Sequence, residues 1–302
     1  MNTVDLNETA RVVNALIKDG ASGLITLGTT GECATLSQRD YEVFVTCVLE
    51  TVNRRIPTIM GTTALGGHAV AERMKFIRDR GADGTLLGMP IWQPLTLKEA
   101  IDWYASMSEA FPELAIMVYA NARAFRFDFA NLDFWEALSK RAPTVTSAKM
   151  SRPKDLVELI RRTGGRINFV PNESTVHNAY KLAPNSTTAC WATAAAMGPK
   201  PAMAIMQAVK ARDQSAIDEW ARVIGWAGAP LDPLIKDPEI FAKFNIQIEK
   251  LRIGEAGYCK PGPMRPPYND IPEEMAEASR ECGRRWAQLC KLGIAAAGPS
   301  QA

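Results

Sequence analysis

The sequence predicts an α/β protein, a (β/α)8 TIM barrel with an appended C-terminal helical region. Short apolar runs recur along the chain, and successive runs begin roughly 20 to 35 residues apart, which leaves room for one helix between them. The intervening segments carry apolar residues at helical spacing. No strand-like run follows residue 199. Alternating strands and helices of this kind indicate a parallel sheet.

Seven apolar runs are predicted as strands of the barrel. An eight-unit barrel needs one more strand, but the chain opens in a helix at about Asp5, so we expect the first strand to be missing from the given residues. The seven predicted strands cover residues 23–27, 58–60, 84–88, 115–120, 144–149, 167–171 and 187–193.

The helices carry recognisable start signals. Asp5 with Glu8 and Thr96 with Glu99 have the spacing of capping boxes. In the C-terminal part, helices are predicted at about 200–212, 214–226, 238–251 and 272–292. The segment at 257–270 is too rich in proline and glycine to be regular. The predicted division is therefore a barrel at 1–198 and a helical region at 199–302.

Composition excludes several classes of protein. The 302 residues include 47% hydrophobic and 23% charged residues, close to globular averages, so disorder is excluded. With 35 Lys and Arg against 33 Asp and Glu, the net charge of +2 predicts no nucleic-acid partner. No apolar stretch reaches membrane-span length and no secretion signal is evident, which predicts a cytoplasmic protein. The six cysteines form no CxxC pair, so reduced thiols are expected.

The first candidate site is the turn from Gly28 to Glu32, which directly follows the first predicted strand. Its sequence is Gly-Thr-Thr-Gly-Glu. Glycine lets a ligand approach the backbone closely, and Thr29 and Thr30 offer hydroxyl and N–H donors to a carboxylate or phosphate. The alternative is an ordinary turn between a strand and a helix.

Two further candidates end strands of the predicted barrel, where TIM-barrel active sites lie. Tyr119 is the last residue but one of the run AIMVYA, and a phenol there can shuttle a proton, although packing is the competing interpretation. Lys149 ends the next strand. Desolvation in the barrel mouth would lower its pKa and make the neutral amine a nucleophile; the alternative is a lysine extending from the rim to solvent.

The three candidate sites indicate a function more clearly together than each does alone. A carboxylate-binding turn, a phenol and an amine at the ends of barrel strands would hold a 2-keto acid by its carboxylate and attack its carbonyl carbon. This is the arrangement of a Schiff-base aldolase.

On these residues the sequence resembles the dihydrodipicolinate synthase/N-acetylneuraminate lyase family of class I pyruvate aldolases. The likeness covers the chain apart from the first strand. It implies that Lys149 forms the imine, that Tyr119 relays protons, and that Gly28, Thr29 and Thr30 hold the pyruvyl carboxylate. It implies neither a metal nor a cofactor, and a homo-oligomer built as a dimer of dimers.

Some positions depart from the synthases of this family. Ala124 stands where the synthases carry an arginine, and Ile91 and Trp92 replace a tyrosine pair. The segment YANARAFRFDF at 119–129, GTTGECATL at 28–36 and CWAT at 190–193 instead resemble the benzylidenepyruvate hydratase-aldolases of aromatic-hydrocarbon breakdown. The expected reaction hydrates an ortho-substituted benzylidenepyruvate and cleaves it to an aromatic aldehyde and pyruvate.

This resemblance implies further substrate-binding residues. Asn121 would hydrogen-bond the added water, with a turn-forming asparagine as the alternative. Trp191 would line the pocket for the aromatic ring, with core packing as the alternative, and Asn245 would also reach the ring. The ring substituent, hydroxyl or carboxylate, stays open; Arg123 and Arg126 favour the carboxylate.

Two other functions stay open. One is another pyruvate-dependent enzyme of the family, a 2-keto-3-deoxy sugar acid aldolase or a dihydrodipicolinate synthase. The other is a catalytically silent barrel that binds a 2-keto acid. The aromatic side chains Trp92, Phe125 and Trp191 argue against a sugar pocket, and the presence of both Lys149 and Tyr119 argues against a silent barrel.

Overall fold

The computed structural model describes residues 3–153 and 155–297. The chain divides into two compact units. The first consists of Met1–Ser22, Thr29–Thr51 and Ala192–Ala302, and the second of Gly23–Gly28 and Val52–Trp191. The predicted boundary at 198/199 stays a prediction.

A six-stranded parallel sheet forms the centre of the second unit. The strands are β1 (Leu24–Thr26), β2 (Thr58–Gly61), β3 (Gly84–Leu87), β4 (Ala115–Tyr119), β5 (Val145–Lys149) and β6 (Asn168–Val170). They lie side by side in chain order. Consecutive parallel order requires a crossover between each pair of strands, and helices supply it, as the spacing of the apolar runs predicts.

Six of the seven predicted strands are confirmed, and the seventh, at 187–193, is wrong. In its place a single parallel bridge joins Asn172 to Trp191. The Trp191 N–H donates to the Pro171 carbonyl at 2.9 Å, and the Glu173 N–H donates to the Trp191 carbonyl at 3.0 Å. The ladder stops there because β6 has only three residues and Pro171, which follows it, has no N–H to donate.

The helices occupy the gaps between strands and most of the C-terminal part. They are α1 (Leu6–Lys18), α2 (Gln38–Val52), α3 (Gly67–Asp79), α4 (Leu97–Ala110), α5 (Ala122–Phe125), α6 (Leu132–Arg141), α7 (Leu156–Thr163), α8 (Val176–Leu182), α9 (Lys200–Ala211), α10 (Gln214–Gly228), α11 (Asp232–Lys236), α12 (Pro238–Ala256) and α13 (Glu273–Leu292). The four predicted C-terminal helices are confirmed, and residues 257–270 are irregular, as predicted.

One of the two predicted capping boxes forms. Thr96 and Glu99 bond reciprocally at the start of α4. Asp5 accepts the Glu8 N–H, but the Glu8 carboxylate turns to Arg11 and to the Lys260 N–H instead of bonding back. Those bonds lower the pKa of Glu8 to about 2.

Helices α12 and α13 pack against each other in the first unit. Their shared core contains Ile248, Cys282 and Leu231, all almost completely buried. The first helix belongs to the same unit, where the Arg11 guanidinium donates to the Tyr258 carbonyl at 2.6 Å. Among the described residues, no helix combines the length and the apolar character needed to cross a membrane.

Candidate active site

Tyr119 and Lys149 are partners in the register of β4 and β5. Ile116 pairs with Val145, but Met117 pairs with Ser147, so β5 contains one extra residue, Thr146. Without this bulge Tyr119 would lie opposite Ala148. Because neighbouring residues of a strand point to opposite faces, the bulge brings the phenol and the amine to the same face at the strand ends.

The Lys149 amine lies against two aromatic rings. Its Nζ is 4.8 Å from the centroid of the Tyr119 ring and 3.3 Å from that of Trp191. A ring face attracts an ammonium group and, being apolar, also excludes water from it. The same two rings can therefore accommodate the charged amine before reaction and a cationic imine after it.

The Tyr119 hydroxyl lies in a buried position with little free space. The residue is 8% exposed, and its ring meets the Phe125 ring edge to face, with centroids 5.6 Å apart. Asn121 Nδ2 donates to its hydroxyl oxygen at 3.5 Å. A Cβ added at Gly28, two residues after β1, would lie 3.6 Å from that oxygen, so the backbone at Gly28 passes close to the phenol.

Asn121 makes two contacts, one of which matches the turn-forming alternative, while its bond to the added water stays a prediction. Its Oδ1 accepts the Ala124 N–H at 3.2 Å and so caps the short helix α5, as a turn-forming asparagine does. Its amide nitrogen faces the Tyr119 hydroxyl. Capping therefore fixes the orientation of the amide that the phenol contacts.

Two of the predicted substrate-binding residues have a buried polar atom with no hydrogen-bond partner among the described residues. They are Nε1 of Trp191 and Oδ1 of Asn245. Trp191 belongs to the second unit and Asn245, on α12, to the first. A buried donor or acceptor without a partner costs about 1–3 kcal/mol, so both atoms are positions where a bound ligand would gain a hydrogen bond.

Thr29 and Thr30 lie half-buried in a tight turn of the first unit. The turn is closed by the Glu32 N–H, which donates to the Thr29 carbonyl at 3.0 Å. The residues on either side, Leu27 and Glu32, have φ values of 57° and 55°. Side chains other than glycine rarely adopt this left-handed conformation, and functional sites are where such strain concentrates.

No role was predicted for Glu32, a buried residue that is 8% exposed. Its carboxylate lies 2.7 Å from the Lys250 amine and accepts the Arg265 N–H at 3.2 Å. These partners follow Glu32 by more than two hundred residues, so local spacing held no signal for the contact. The only sequence hint was an acidic residue ending a glycine-containing turn.

A second buried carboxylate, Glu173, lies just beyond β6 and was also missed. Its backbone N–H donates a hydrogen bond to the Trp191 carbonyl. Burial, with a smaller contribution from the Glu173 charge, raises the pKa of the neighbouring Cys190 thiol to about 12. That thiol is therefore protonated at neutral pH and is a poor nucleophile.

The arginines that favoured a carboxylate substituent occupy exposed positions. The Arg126 guanidinium donates to the carbonyls of Ile91 and Trp92, both at 2.8 Å. These two hydrogen bonds from Nη2 attach Arg126 to the loop after β3.

The second unit therefore brings together Lys149, Tyr119, Asn121, Gly28 and Trp191. Thr29, Thr30 and Asn245 belong to the first unit.

Comparison with known proteins shows which family this chain resembles. The dihydrodipicolinate synthetase family matches residues 1–151. A trans-o-hydroxybenzylidenepyruvate hydratase-aldolase from Pseudomonas putida is 37% identical over 95% of this chain and 87% of its own. A trans-2'-carboxybenzalpyruvate hydratase-aldolase from a Nocardioides species is 32% identical over 98% of this chain and 89% of its own.

Solved structures give the same result. PhdJ bound to a substrate intermediate superposes with a TM-score of 0.91 at 32% identity, covering 95% of this chain and 89% of its own. A dihydrodipicolinate synthase shares the fold at a TM-score of 0.78 and 22% identity, covering 96% of this chain and 94% of its own. The predicted TIM-barrel-like (β/α) fold with a C-terminal helical region is confirmed.

Proposed function

The chain belongs to the dihydrodipicolinate synthetase family, and we propose that it is a Schiff-base hydratase-aldolase acting on trans-o-hydroxybenzylidenepyruvate. The products are an aromatic aldehyde and pyruvate. The observation that carries the proposal is the register pairing of Lys149 with Tyr119, which places an amine and a phenol on one face at the ends of adjacent strands. Relatives at 36–38% identity carry the name of this activity.

The first step forms an imine. The neutral Lys149 amine attacks the keto carbon, and water leaves after the Tyr119 hydroxyl passes a proton to the keto oxygen. The family resemblance assigns the substrate carboxylate to Thr29 and Thr30. The resulting cation faces the Trp191 ring, whose face already lies 3.3 Å from the amine nitrogen.

The second step adds water. The cationic imine draws electrons from the conjugated double bond, so the carbon bearing the aryl group accepts a water oxygen. Asn121 lies beside the Tyr119 hydroxyl and orients the water. Tyr119, left as a phenolate by the first step, takes the proton that the water loses and passes it to the chain carbon next to the imine carbon, which restores the cationic imine and leaves Tyr119 as a base.

The third step breaks the carbon–carbon bond. Tyr119 removes the proton from the new hydroxyl, the aldehyde leaves, and the bonding electrons move into the imine to give an enamine. Protonation of the enamine carbon and hydrolysis then release pyruvate and restore Lys149. The overall change is one substrate plus one water to one aldehyde plus one pyruvate, and the imine is the only electron sink required.

We propose the hydroxyl rather than the carboxylate as the ring substituent. The relatives named for the hydroxy substrate are 36–38% identical and the one named for the carboxy substrate is 32% identical. Nη2 of Arg126, one of the two arginines that favoured a carboxylate in the sequence, bonds to two loop carbonyls.

Borohydride trapping tests the mechanism. The protein is incubated with pyruvate, reduced and digested, and the modified peptide is identified by mass spectrometry. An adduct on Lys149 in the wild type and none in Lys149→Met supports the proposal. An unmodified Lys149 in folded protein would rule out the Schiff base and favour a silent binding barrel.

The substrate is tested by turnover. A higher kcat/KM for 2-hydroxybenzylidenepyruvate than for 2-carboxybenzylidenepyruvate supports the hydroxyl, and the reverse order contradicts it. We further propose that the protein is a cytoplasmic homo-oligomer. Light scattering on the purified protein measures the molar mass of the assembly and so tests the oligomeric state.

A further inference from the structure

The turn that carries Thr29 and Thr30 has little rigidity of its own. It contains two glycines, Gly28 and Gly31, which leave the backbone many conformations. Two adjacent threonines can bind a carboxylate well only if the backbone already holds them in place, because any ordering during binding subtracts from the affinity. Something outside the turn must therefore fix it.

Glu32, the last residue of the turn, makes that connection. Its Oε2 lies 2.7 Å from Lys250 Nζ on α12, and both side chains are only 10% exposed. Its Oε1 accepts the Arg265 N–H. Both carboxylate oxygens are therefore engaged by the C-terminal part of the chain, while its backbone N–H closes the turn on Thr29.

The partners of Glu32 are themselves anchored. Lys250 Nζ also donates to the Pro263 carbonyl at 2.8 Å, and the Arg265 guanidinium lies 3.6 Å from the Asp40 carboxylate at the start of α2. All of these residues belong to the first unit. A buried ion pair stabilises a fold little more than an apolar pair of the same size, but it fixes the direction of both side chains.

We propose that Glu32 and Lys250 are positioning residues that hold the Thr29–Thr30 turn in the conformation that binds the substrate carboxylate. The inference rests on the proposed function. It assigns to the acidic residue of the turn a role in carboxylate affinity, exerted without contact with the substrate.

The chain offers a matched control on the same helix. Glu249 is also buried and paired, 2.7 Å from Arg252, and that pair faces Cys282 on α13. Glu32→Gln and Glu249→Gln each remove one buried carboxylate charge at constant size. Only the first touches the turn.

The experiment measures how borohydride trapping at Lys149 depends on pyruvate concentration in the wild type and both variants. Glu32→Gln is expected to raise the half-saturating pyruvate concentration about tenfold with little change in the limiting rate. Glu249→Gln should match the wild type. Lys250→Met should reproduce the Glu32→Gln shift, and Lys250→Arg, which keeps the charge, should restore most of the affinity.

The outcomes separate the two proposals. A wild type that forms no adduct contradicts the proposed function. A normal wild type with unchanged half-saturation in Glu32→Gln, or an equal shift in Glu249→Gln, overturns the positioning role. If Glu32→Gln does not fold, Lys250→Met decides; if neither folds, the pair is a requirement of the fold and the positioning role is overturned.

Discussion

Tyr119 and Trp191 both place a ring against the Lys149 amine, but the chain holds them in different ways. Tyr119 ends a five-residue strand that has strands on both sides, and its hydroxyl faces Asn121. Trp191 sits at an isolated bridge held by two backbone hydrogen bonds, and its Nε1 has no partner among the described residues.

This difference suits Tyr119 to proton transfer and Trp191 to substrate binding. A proton relay needs its oxygen fixed to within a fraction of an ångström, which a ladder of backbone hydrogen bonds provides. A wall that receives an aromatic ring tolerates more adjustment, because its attraction depends on contact area. We expect substitutions at Tyr119 to reduce the rate, and those at Trp191 to weaken substrate binding.

The largest effect is expected from Tyr119→Phe, which removes the hydroxyl and keeps the ring. We expect kcat to fall by about 10²–10⁴-fold with a small change in KM, because the proton relay is lost. Steady-state kinetics measure both values. Tyr104→Phe is the matched control, since that hydroxyl only donates to the Leu87 carbonyl, at 3.1 Å. A Tyr119→Phe enzyme as fast as the control would contradict the assignment.

The next effect concerns the stability of the sheet that holds Tyr119. An added Cβ at Gly61 would lie 2.3 Å from the Leu27 carbonyl oxygen and 2.9 Å from that of Thr26. Gly61→Ala must push β1 away from β2, and we expect about 2–3 kcal/mol lower free energy of unfolding. Chemical denaturation measures it. Gly66→Ala is the control, because nothing lies within 4 Å of its Cβ position. Equal free energies of unfolding for Gly61→Ala and Gly66→Ala would show that β1 and β2 can move apart at little cost.

A smaller effect is expected from Trp191→Phe, which keeps a ring face for the Lys149 amine and removes the buried Nε1–H. If the substrate ring supplies the partner of that N–H, KM for the aryl substrate rises about fivefold, equivalent to about 1 kcal/mol. Half-saturation by pyruvate, which has no ring, should not change. Parallel shifts for both ligands would place the indole N–H near the carboxylate instead.

The smallest expected effect is the pH dependence of stability caused by Cys190, next to Trp191. Its thiol has a pKa of about 12 in the folded state and an ordinary value of 9.0 when unfolded. The unfolded thiol ionises first, so the folded state loses stability as pH rises from 9 towards 12. Denaturation at pH 7 and 10 should show wild type losing about 1 kcal/mol relative to Cys190→Ala. A constant difference would contradict the raised pKa.

Much of the fold was predictable because local signals agree with long-range packing. The predicted strands at 115–120 and 144–149 end within one residue of Tyr119 and Lys149, where the structure ends β4 and β5. The bulge at Thr146 was invisible, because nothing in the composition of β5 marks the extra residue. The sequence therefore predicted that Tyr119 and Lys149 lie at the ends of neighbouring strands, but not that they pair in register.

The failures have different physical causes, each of which involves residues outside the local pattern that made the prediction. Residues 187–193 favour a strand by composition, but Pro171 limits the neighbouring ladder to a single bridge. Glu8 leaves its capping box for Arg11 and the Lys260 N–H. The burial of Glu32 depends on Lys250, and charged residues are otherwise expected at the surface.

The consecutive order of the six strands also has a consequence for biosynthesis. Each strand bonds only to its neighbours along the chain, so the sheet can grow one strand at a time as the ribosome releases the protein. The pairing of Tyr119 with Lys149 can form once residue 149 has emerged. Lys250 is translated about a hundred residues later, which at about 5–20 residues per second is a delay of roughly 5 to 20 seconds. The nascent chain can thus hold its amine and phenol in register before the carboxylate-binding turn acquires its anchor.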